Sequence, residues 1–203
     1  MAINGSHRKG KNTATLLKIV LEEVAGNGVD TELVELADLN IKLCKSCNKC
    51  LRKAQCSISD DMGPLSEKLM AADGIVLGSP VYWSNVSTLM KNFMDRTRWM
   101  HMTVNLLTGK VGGTVACAGL PDNGQEKTLD IMEHYLRSQG MFVADCSDRS
   151  KGYIGMGVSA SLCAGVNDEK IVWRKSVLED KIAIMSCKML GRNMVRLISE
   201  LKK

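Results

Sequence analysis

Short apolar runs alternate with amphipathic helical patterns along this chain, and the alternation limits the folds open to it. Residues 74–78, Gly-Ile-Val-Leu-Gly, form a continuous apolar run of the kind found in strands that are buried on both faces. An amphipathic pattern follows this run, and the same pair of patterns recurs at residues 111–118 and 125–139. Strands that alternate with helices in this way predict a parallel sheet covered on both faces, a doubly wound α/β fold.

The remaining patterns extend the same architecture. Apolar residues at helical spacing predict a helix over 13–25, and strands are expected at 29–36 and 141–144. A last helix is predicted from about 176 to 201. The segment 146–175 has no clear period, so we expect an irregular stretch that runs over the surface or forms an oligomer contact.

Length and composition fit one domain over residues 1–203. Of these residues 45% are hydrophobic, yet no apolar run approaches the ~18 residues that a membrane span needs. Only residues 1–4 precede the first glycine turn, which is short for the central strand of a five-stranded sheet. The N-terminus shows no secretory signal, so a cytoplasmic protein with reduced thiols is expected. A net charge of +5 is too mild to indicate a nucleic-acid partner, and no membrane contact is expected.

The loop between the first strand and the first helix, residues 5–13, is a candidate anion site. Its Gly-x4-Gly-Lys pattern matches most of a nucleotide-binding P-loop, but Asn12 replaces the hydroxyl residue that would hold Mg²⁺. A cup for one terminal phosphate is the stronger interpretation, and a loop that binds nothing is the remaining alternative. The groups that would form the cup are the side chains of Ser6, Arg8, Asn12 and Thr13 and the amide of Ala14.

Two further loops follow predicted strands at the same edge of the sheet. Residues 78–86 offer backbone amides, the adjacent aromatics Tyr82 and Trp83, and the amide side chain of Asn85. Residues 119–126 follow the next strand in the same way. Because the carboxyl ends of parallel strands meet at one edge, these loops could hold a planar ring system beside the phosphate cup.

Four of the eight cysteines fall within one short segment, as Cys44-x2-Cys47-x2-Cys50-x5-Cys56. Zinc sites usually pair two C-x2-C turns that are separated by a longer stretch, and here the third cysteine comes too early. A C-x2-C-x2-C triplet suits a cubane cluster, with Cys56 as the fourth ligand, so a [4Fe–4S] site is the preferred interpretation.

Zinc, and a metal-free loop with redox-active or idle thiols, remain alternatives for these four cysteines. Five cations surround them and would offset a negative cluster: Lys42, Lys45, Lys49, Arg52 and Lys53. The other four cysteines are scattered along the chain. Cys117 and Cys187 fall on a predicted buried strand and helix, and we expect them to be packing residues.

Four motifs occur in this order over most of the first 130 positions: Asn4-Gly5-Ser6-x-Arg8 with Asn12-Thr13, the four-cysteine segment with Asp60-Asp61-Met62, Gly78-Ser79-Pro80-Val81-Tyr82-Trp83, and Gly124-Gln125-Glu126 with Thr128-Leu129. Through these motifs the chain resembles the family of NAD(P)H-dependent FMN reductases and iron–sulfur flavoproteins, which have a flavodoxin-like fold. His7 stands where the family usually has proline.

The resemblance implies FMN as a cofactor and a homodimer or homotetramer as the assembly. It assigns the phosphate to the same five residues of the first loop. It assigns the isoalloxazine ring to the loop near Gly119 and to the loop formed by Pro80, Val81, Tyr82, Trp83, Ser84 and Asn85. No side-chain acid or base is expected to be essential.

These features lead to three main hypotheses about function and a fourth, weaker one. The first is an oxidoreductase with FMN and a [4Fe–4S] cluster that moves electrons between a reduced donor, ferredoxin or NAD(P)H, and an acceptor. The second is an FMN-only NAD(P)H-dependent reductase of quinones, flavins or nitro compounds. The third is a non-enzymatic redox sensor or metal-binding module on the same fold, and a P-loop ATPase that carries a cluster comes last.

Overall fold

The structure is a computed structural model that describes residues 1–203. The main sheet has six strands: β1 (Ala2–Asn4), β2 (Leu33–Glu35), β3 (Gly74–Pro80), β4 (Val111–Ala118), β5 (Phe142–Val143) and β6 (Val158–Ser161). Six helices accompany it: α1 (Asn12–Ala25), α2 (Met62–Ala71), α3 (Thr88–Arg96), α4 (Arg98–Met102), α5 (Gln125–Ser138) and α6 (Lys181–Leu201).

The strand order of the sheet is β2-β1-β3-β4-β5, and every pair in it is parallel. This order confirms the doubly wound five-stranded sheet predicted from the sequence. The chain moves outward from β1 to β2, then returns across β1 to β3 and continues in the opposite direction. The reversal leaves a crevice at the carboxyl ends of β1 and β3, where sheets of this type bind ligands.

The first strand is short but central, because it pairs with β2 on one side and with β3 on the other. Its three residues, Ala2–Asn4, are all fully buried. The Gly5 amide then donates a hydrogen bond of 2.8 Å to the carbonyl of Gly78, which extends the pairing with β3 by one residue. Burial on both faces therefore stabilises β1, although a strand of only three residues is short for the centre of a sheet.

Two apolar cores lie on the two faces of the sheet. One packs α1 and α6 against the sheet and contains fully buried residues such as Leu17 and Leu190. The other packs α2, α3 and α5 against the opposite face and contains Ile75, Phe93 and Met132. Each fully buried side chain of this size contributes about 1.5–3 kcal/mol relative to exposure, so both layers stabilise the sheet.

The segment 146–175, predicted to be irregular, is only partly so. Its residues Val158–Ser161 form β6, which pairs in parallel with the second half of β4, while β5 pairs with the first half. After β6, an antiparallel hairpin of β7 (Cys163–Asn167) and β8 (Lys170–Trp173) leaves the sheet with both faces exposed. The sequence of β6, Val-Ser-Ala-Ser, has too few large apolar residues to signal a buried strand.

None of the six helices combines the length and the apolar character that crossing a bilayer requires.

Candidate functional site

A cleft of about 400 Å³ opens at the carboxyl ends of β1, β3 and β4, and we call it the carboxyl-end cleft. The loops after these three strands form its walls, together with two residues of the segment 162–175. The lining residues are Ser6, Arg8, Lys11, Asn12, Thr13, Pro80, Val81, Tyr82, Cys117, Ala118, Gly119, Leu162 and Lys175. The cleft therefore lies at the position where the topology predicts a ligand.

The loop after β1 is shaped by hydrogen bonds that lead into α1. The Ser6 amide donates to Asn4 Oδ1 at 3.0 Å, and the Arg8 amide donates to Ser6 Oγ at 3.1 Å. Because the Thr15 amide makes the first helical bond, to the Lys11 carbonyl at 2.9 Å, the amides just before it have no partner within the helix. Such amides, with the positive end of the helix dipole, form an anion site.

Three cationic side chains line the carboxyl-end cleft: Arg8, Lys11 and Lys175. A phosphate monoester carries a charge of about −1.5 to −2 at neutral pH, which these cations would offset. The Val177 amide donates to Asn12 Oδ1 at 3.3 Å and so ties the segment that carries Lys175 to the start of α1. The anion site at the start of α1 and Lys175, which are far apart in the sequence, therefore line the same cleft.

The loop after β3 forms the second wall and ends in a tight turn. Tyr82 and Asn85 exchange two backbone hydrogen bonds of 3.0 Å, and the two residues between them have positive φ, 52° at Trp83 and 55° at Ser84. Positive φ at two consecutive residues turns the chain sharply and directs the Trp83 side chain into solvent, where it is 100% exposed. Tyr82, 45% exposed, stays on the cleft wall.

The loop after β4 is held by the buried side chain of Gln125. Its Nε2 donates to the Leu120 carbonyl at 2.7 Å, and its Oε1 accepts from the Asn123 amide at 2.8 Å. The ring of Trp173 lies 3.5 Å from the point where a Cβ on Gly119 would stand. The exposed hairpin therefore reaches back to the rim of the carboxyl-end cleft.

The carboxyl-end cleft brings together eight of the twelve residues predicted to hold a cofactor: Ser6, Arg8, Asn12, Thr13, Pro80, Val81, Tyr82 and Gly119. Ala14 is buried within α1, while Trp83, Ser84 and Asn85 form the turn above and do not line the cleft. Sequence reasoning missed five lining residues, Lys11, Cys117, Ala118, Leu162 and Lys175. Lys11 lies within the first glycine loop and could have been included, but nothing local marks Leu162 or Lys175.

The second candidate site is the cysteine loop, which we define as residues 42–60. Cys44 and Cys47 are exposed, Cys50 and Cys56 are half-buried, and all four line one small cavity. Apart from a single 3₁₀ turn at Lys49–Leu51, the loop has no regular structure. In this arrangement no three Cys, His, Asp or Glu side chains converge as they would around a single metal ion.

A buried ion pair anchors the cysteine loop to α3. Arg96 Nη1 lies 2.6 Å from Asp60 Oδ2, and Arg96 Nη2 lies 3.0 Å from Asp60 Oδ1. Both side chains are nearly inaccessible, 1% exposed for Arg96 and 2% for Asp60. Burial by itself raises the pKa of Asp60, but the hydrogen bonds from Arg96 and from the amides of Lys42 and Met62 outweigh it, so the pKa lies below its usual value. The carboxylate is therefore ionised at neutral pH.

The cysteines inside and outside the cysteine loop also differ in the environment of their thiols. A hydrogen-bond contact of 3.4 Å with the Ser57 hydroxyl lowers the pKa of Cys47. Burial raises the pKa of Cys117 to about 12 and that of Cys146 to about 11, and it raises the pKa of Cys187 as well. Only thiolates bind metal or attack as nucleophiles, so these three thiols, one of which (Cys117) lines the carboxyl-end cleft, are poor ligands and nucleophiles at neutral pH.

The carboxyl-end cleft and the cysteine loop lie at opposite ends of α3. Next to its first turn, the Ser87 hydroxyl donates to the Gly5 carbonyl at 2.5 Å, at the edge of the first loop. At its last residue, Arg96 lines the cavity of the four cysteines. A nine-residue helix is roughly 13 Å long, and the two sites share no lining residue.

The strand order and the cleft at the reversal point define a flavodoxin-like protein. Among solved structures, RosB with a bound 8-demethyl-8-formylriboflavin-5'-phosphate intermediate has a TM-score of 0.75 at 16% identity, covering 99% of this chain and 79% of that one. A WrbA-like flavodoxin from Agrobacterium tumefaciens has a TM-score of 0.59 at 14% identity, covering 98% of this chain and 95% of that one. At these identities the likeness concerns the fold.

Sequence comparison gives the family. The family model described as NADPH-dependent FMN reductase matches residues 1–149. An iron–sulfur flavoprotein of Methanocaldococcus jannaschii is 32% identical over 203 residues, covering 100% of this chain and 98% of its own, and one of Archaeoglobus fulgidus is 35% identical over 202 residues, covering 100% and 96%. The chain belongs to the NADPH-dependent FMN reductase family, with relatives named iron–sulfur flavoproteins over its full length, and is an FMN-dependent oxidoreductase.

Proposed function

We propose that this protein holds FMN in the carboxyl-end cleft and a [4Fe–4S] cluster in the cysteine loop, and that it transfers electrons between a reduced donor and an acceptor. The donor is ferredoxin or NAD(P)H. One observation carries the proposal: a single cleft, at the point where the strand order reverses, contains the free amides at the start of α1, three cations and an aromatic side chain. The whole chain, residues 1–203, acts as one flavin-binding domain.

The residues that line the carboxyl-end cleft carry the chemical groups that binding of FMN requires. Arg8, Lys11 and Lys175, with the amides at the start of α1, match the phosphate, and the Ser6 hydroxyl adds a polar contact. Val81, Tyr82 and Leu162 supply apolar and aromatic surface for the ring. Of the twelve predicted cofactor residues, we assign contacts to the eight that line the cleft and to Ala14, whose amide is one of the free amides at the start of α1. Trp83, Ser84 and Asn85 form the turn above the cleft.

The cysteine loop fits an iron–sulfur cluster by its donor set. Cys44, Cys47, Cys50 and Cys56 line one cavity with no histidine among the lining residues. Three cations, Lys45, Arg96 and Arg98, and one carboxylate, Asp95, line the same cavity. Of these, Lys45 and Arg96 would offset part of the negative charge of a cluster and its thiolates. The buried Arg96 Nε has no hydrogen-bond partner, so a donor remains available beside the cavity.

When bound, FMN accepts two electrons as hydride or one at a time, and a [4Fe–4S] cluster passes single electrons. This chain's own residues bind and orient. Arg8 and the α1 amides fix the phosphate end, and Tyr82 and Gly119 shape the space for the ring. We further propose that the basic residues of the cysteine loop face an acidic electron carrier, that the assembly is a homodimer or homotetramer, and that the protein works in the cytoplasm.

Replacing Arg8 with alanine tests the phosphate site. The Arg8→Ala variant removes a charge-assisted hydrogen bond worth about 1.5–3 kcal/mol, so the Kd for FMN should rise about 10- to 100-fold. Riboflavin has no phosphate, and its Kd should stay unchanged. Quenching of flavin fluorescence during titration of the flavin-free protein measures both constants.

The matched control for this experiment is Arg149→Ala, an exposed arginine outside the carboxyl-end cleft. It should leave the affinity for FMN as it is. Equal losses of FMN and riboflavin affinity in Arg8→Ala would contradict the assignment of Arg8 to the phosphate.

A further inference from the structure

A charged residue lies on the inward face of α3. The buried positions of this helix are Met90, Phe93 and Arg96, at intervals of three residues. The Arg96 residue is 2% exposed, as buried as its apolar neighbours. A guanidinium taken out of water costs several kcal/mol unless its partners are well placed, so the partners of Arg96 explain its position.

Arg96 joins the two ends of the cysteine loop. Its Nη1 donates to the carbonyl of Lys42 at 2.5 Å, and the guanidinium makes the two-pronged contact with Asp60 described above. The Lys42 amide in turn donates to Asp60 Oδ2 at 2.9 Å. Lys42 and Asp60 bound the loop, so one side chain closes a segment that carries all four cysteines.

The same guanidinium contacts a cysteine. Arg96 Nη2 lies 3.6 Å from Cys56 Sγ, within hydrogen-bond range for sulfur. The Arg96 Nε is buried without an acceptor, and the residue lines the cysteine cavity. Arg98, two residues further on, also lines this cavity but donates to Asn48 Oδ1 at 2.9 Å and contacts no sulfur.

We propose that Arg96 is a positioning residue of the iron–sulfur site: it clamps the ends of the cysteine loop through Lys42 and Asp60 and directs an N–H at the sulfur of Cys56. The proposal rests on the proposed function, because it takes Cys56 as a cluster ligand. A hydrogen bond to a ligand sulfur stabilises the reduced cluster and raises its reduction potential. Arg96 therefore acts on the cluster through Cys56 as well as on the shape of the loop.

The first test measures the cluster potential in the full-length holoprotein, purified anaerobically. Arg96→Lys keeps a positive charge for Asp60 but cannot span Asp60, Lys42 and Cys56 at once. We expect the ratio of oxidised to reduced cluster at a fixed ambient potential to rise at least tenfold. For a one-electron couple this change means that the midpoint potential falls by at least 59 mV. Arg98→Lys, the matched control, should change the ratio less than threefold. An unmoved potential in an Arg96→Lys protein that retains its iron would overturn the proposal.

The second test needs no cluster and uses the full chain after removal of iron. The amides of Lys42 and Met62 donate to Asp60 at 2.9 and 3.1 Å, so their hydrogen exchange reports whether the clamp is closed. NMR should show both amides exchanging at least tenfold faster in Arg96→Lys than in wild type, and unchanged in Arg98→Lys. Unchanged exchange in Arg96→Lys would overturn the clamp even if that variant loses its iron.

The two tests separate this proposal from the proposed function. A wild-type protein that is isolated anaerobically without iron would contradict the cluster and with it the effect on potential. The exchange measurement would still decide whether Arg96 clamps the loop.

Discussion

The Cys47→Ser variant is expected to lose its iron and keep its FMN. Iron should fall from about four atoms per chain, the content of one [4Fe–4S] cluster, to less than about one, because a serine hydroxyl stays protonated where the thiol gives a thiolate. FMN should remain at about one per chain, since the carboxyl-end cleft and the cysteine cavity share no residue. Iron and flavin assays on anaerobically purified protein measure both quantities.

Cys47 is well suited to this experiment because its substitution leaves the core intact. The side chain is exposed, and its Sγ contacts the Ser57 hydroxyl at 3.4 Å. The matched control is Cys163→Ser, which changes a half-buried cysteine of the exposed hairpin outside the cysteine loop and should keep its iron. Full iron content in Cys47→Ser, or loss of FMN together with the iron, would contradict two separate sites.

The Gly124→Ala variant is expected to disrupt the packing between two loops of the proposed flavin site. Gly124 has φ +90°, and a Cβ there would stand 2.5 Å from the Cα of Ser84 in the turn after β3. Alanine in the left-handed region costs about 1–2 kcal/mol, and forcing the two loops apart adds about 1–3 kcal/mol. The free energy of unfolding should fall by the sum, and the Kd for FMN should rise at least tenfold as the wall that carries Tyr82 moves.

Gly109→Ala separates backbone strain from the steric clash. Gly109 has φ +82° but has no atom within 4 Å of its Cβ position. This variant should therefore lose only the 1–2 kcal/mol or so of strain and retain its FMN affinity. Urea unfolding gives the free energies and flavin fluorescence gives the affinities. Equal effects of the two substitutions would show that Gly124 and Ser84 do not pack as described.

The sequence predicted the bounds of an element most accurately where the spacing of its apolar residues matches its burial. β4 was predicted at residues 111–118 and is observed at Val111–Ala118, and α1 was predicted at 13–25 and is observed at Asn12–Ala25. A strand buried on both faces and a helix buried along one stripe each leave a regular apolar pattern. The positions of the three loops at the carboxyl ends follow from the order of these elements, which is why eight of the predicted cofactor residues line one cleft.

Other features depend on contacts that a local pattern does not contain. The hairpin that leads to Lys175 is exposed on both faces, so its sequence has no apolar periodicity. Its return to the cleft, where Trp173 lies beside Gly119, involves residues far apart in the sequence. Trp83 is half of the predicted aromatic pair, and its left-handed backbone directs the side chain into solvent, so its contact with the flavin stays a prediction. A turn conformation of this kind is set by the hydrogen bonds around it.

Arg96 is a charged residue whose partner a local sequence pattern likewise does not reveal. Its position on the buried stripe of α3 was a visible signal, since a charge there requires a buried partner. The partner is Asp60, 36 residues earlier in the chain, beyond the reach of any local pattern. In the sequence, Asp60-Asp61-Met62 is only part of a family resemblance, whereas in the structure Asp60 pairs with Arg96.

The most direct test of the central claim is the cofactor content of the wild-type protein, purified without oxygen. Visible spectroscopy, with flavin, iron and acid-labile sulfide assays, should give about one FMN, four iron atoms and four sulfides per chain. FMN with less than about one iron per chain would contradict the cluster and leave an FMN-only oxidoreductase. A colourless protein that takes up neither cofactor on reconstitution would contradict the account of both sites.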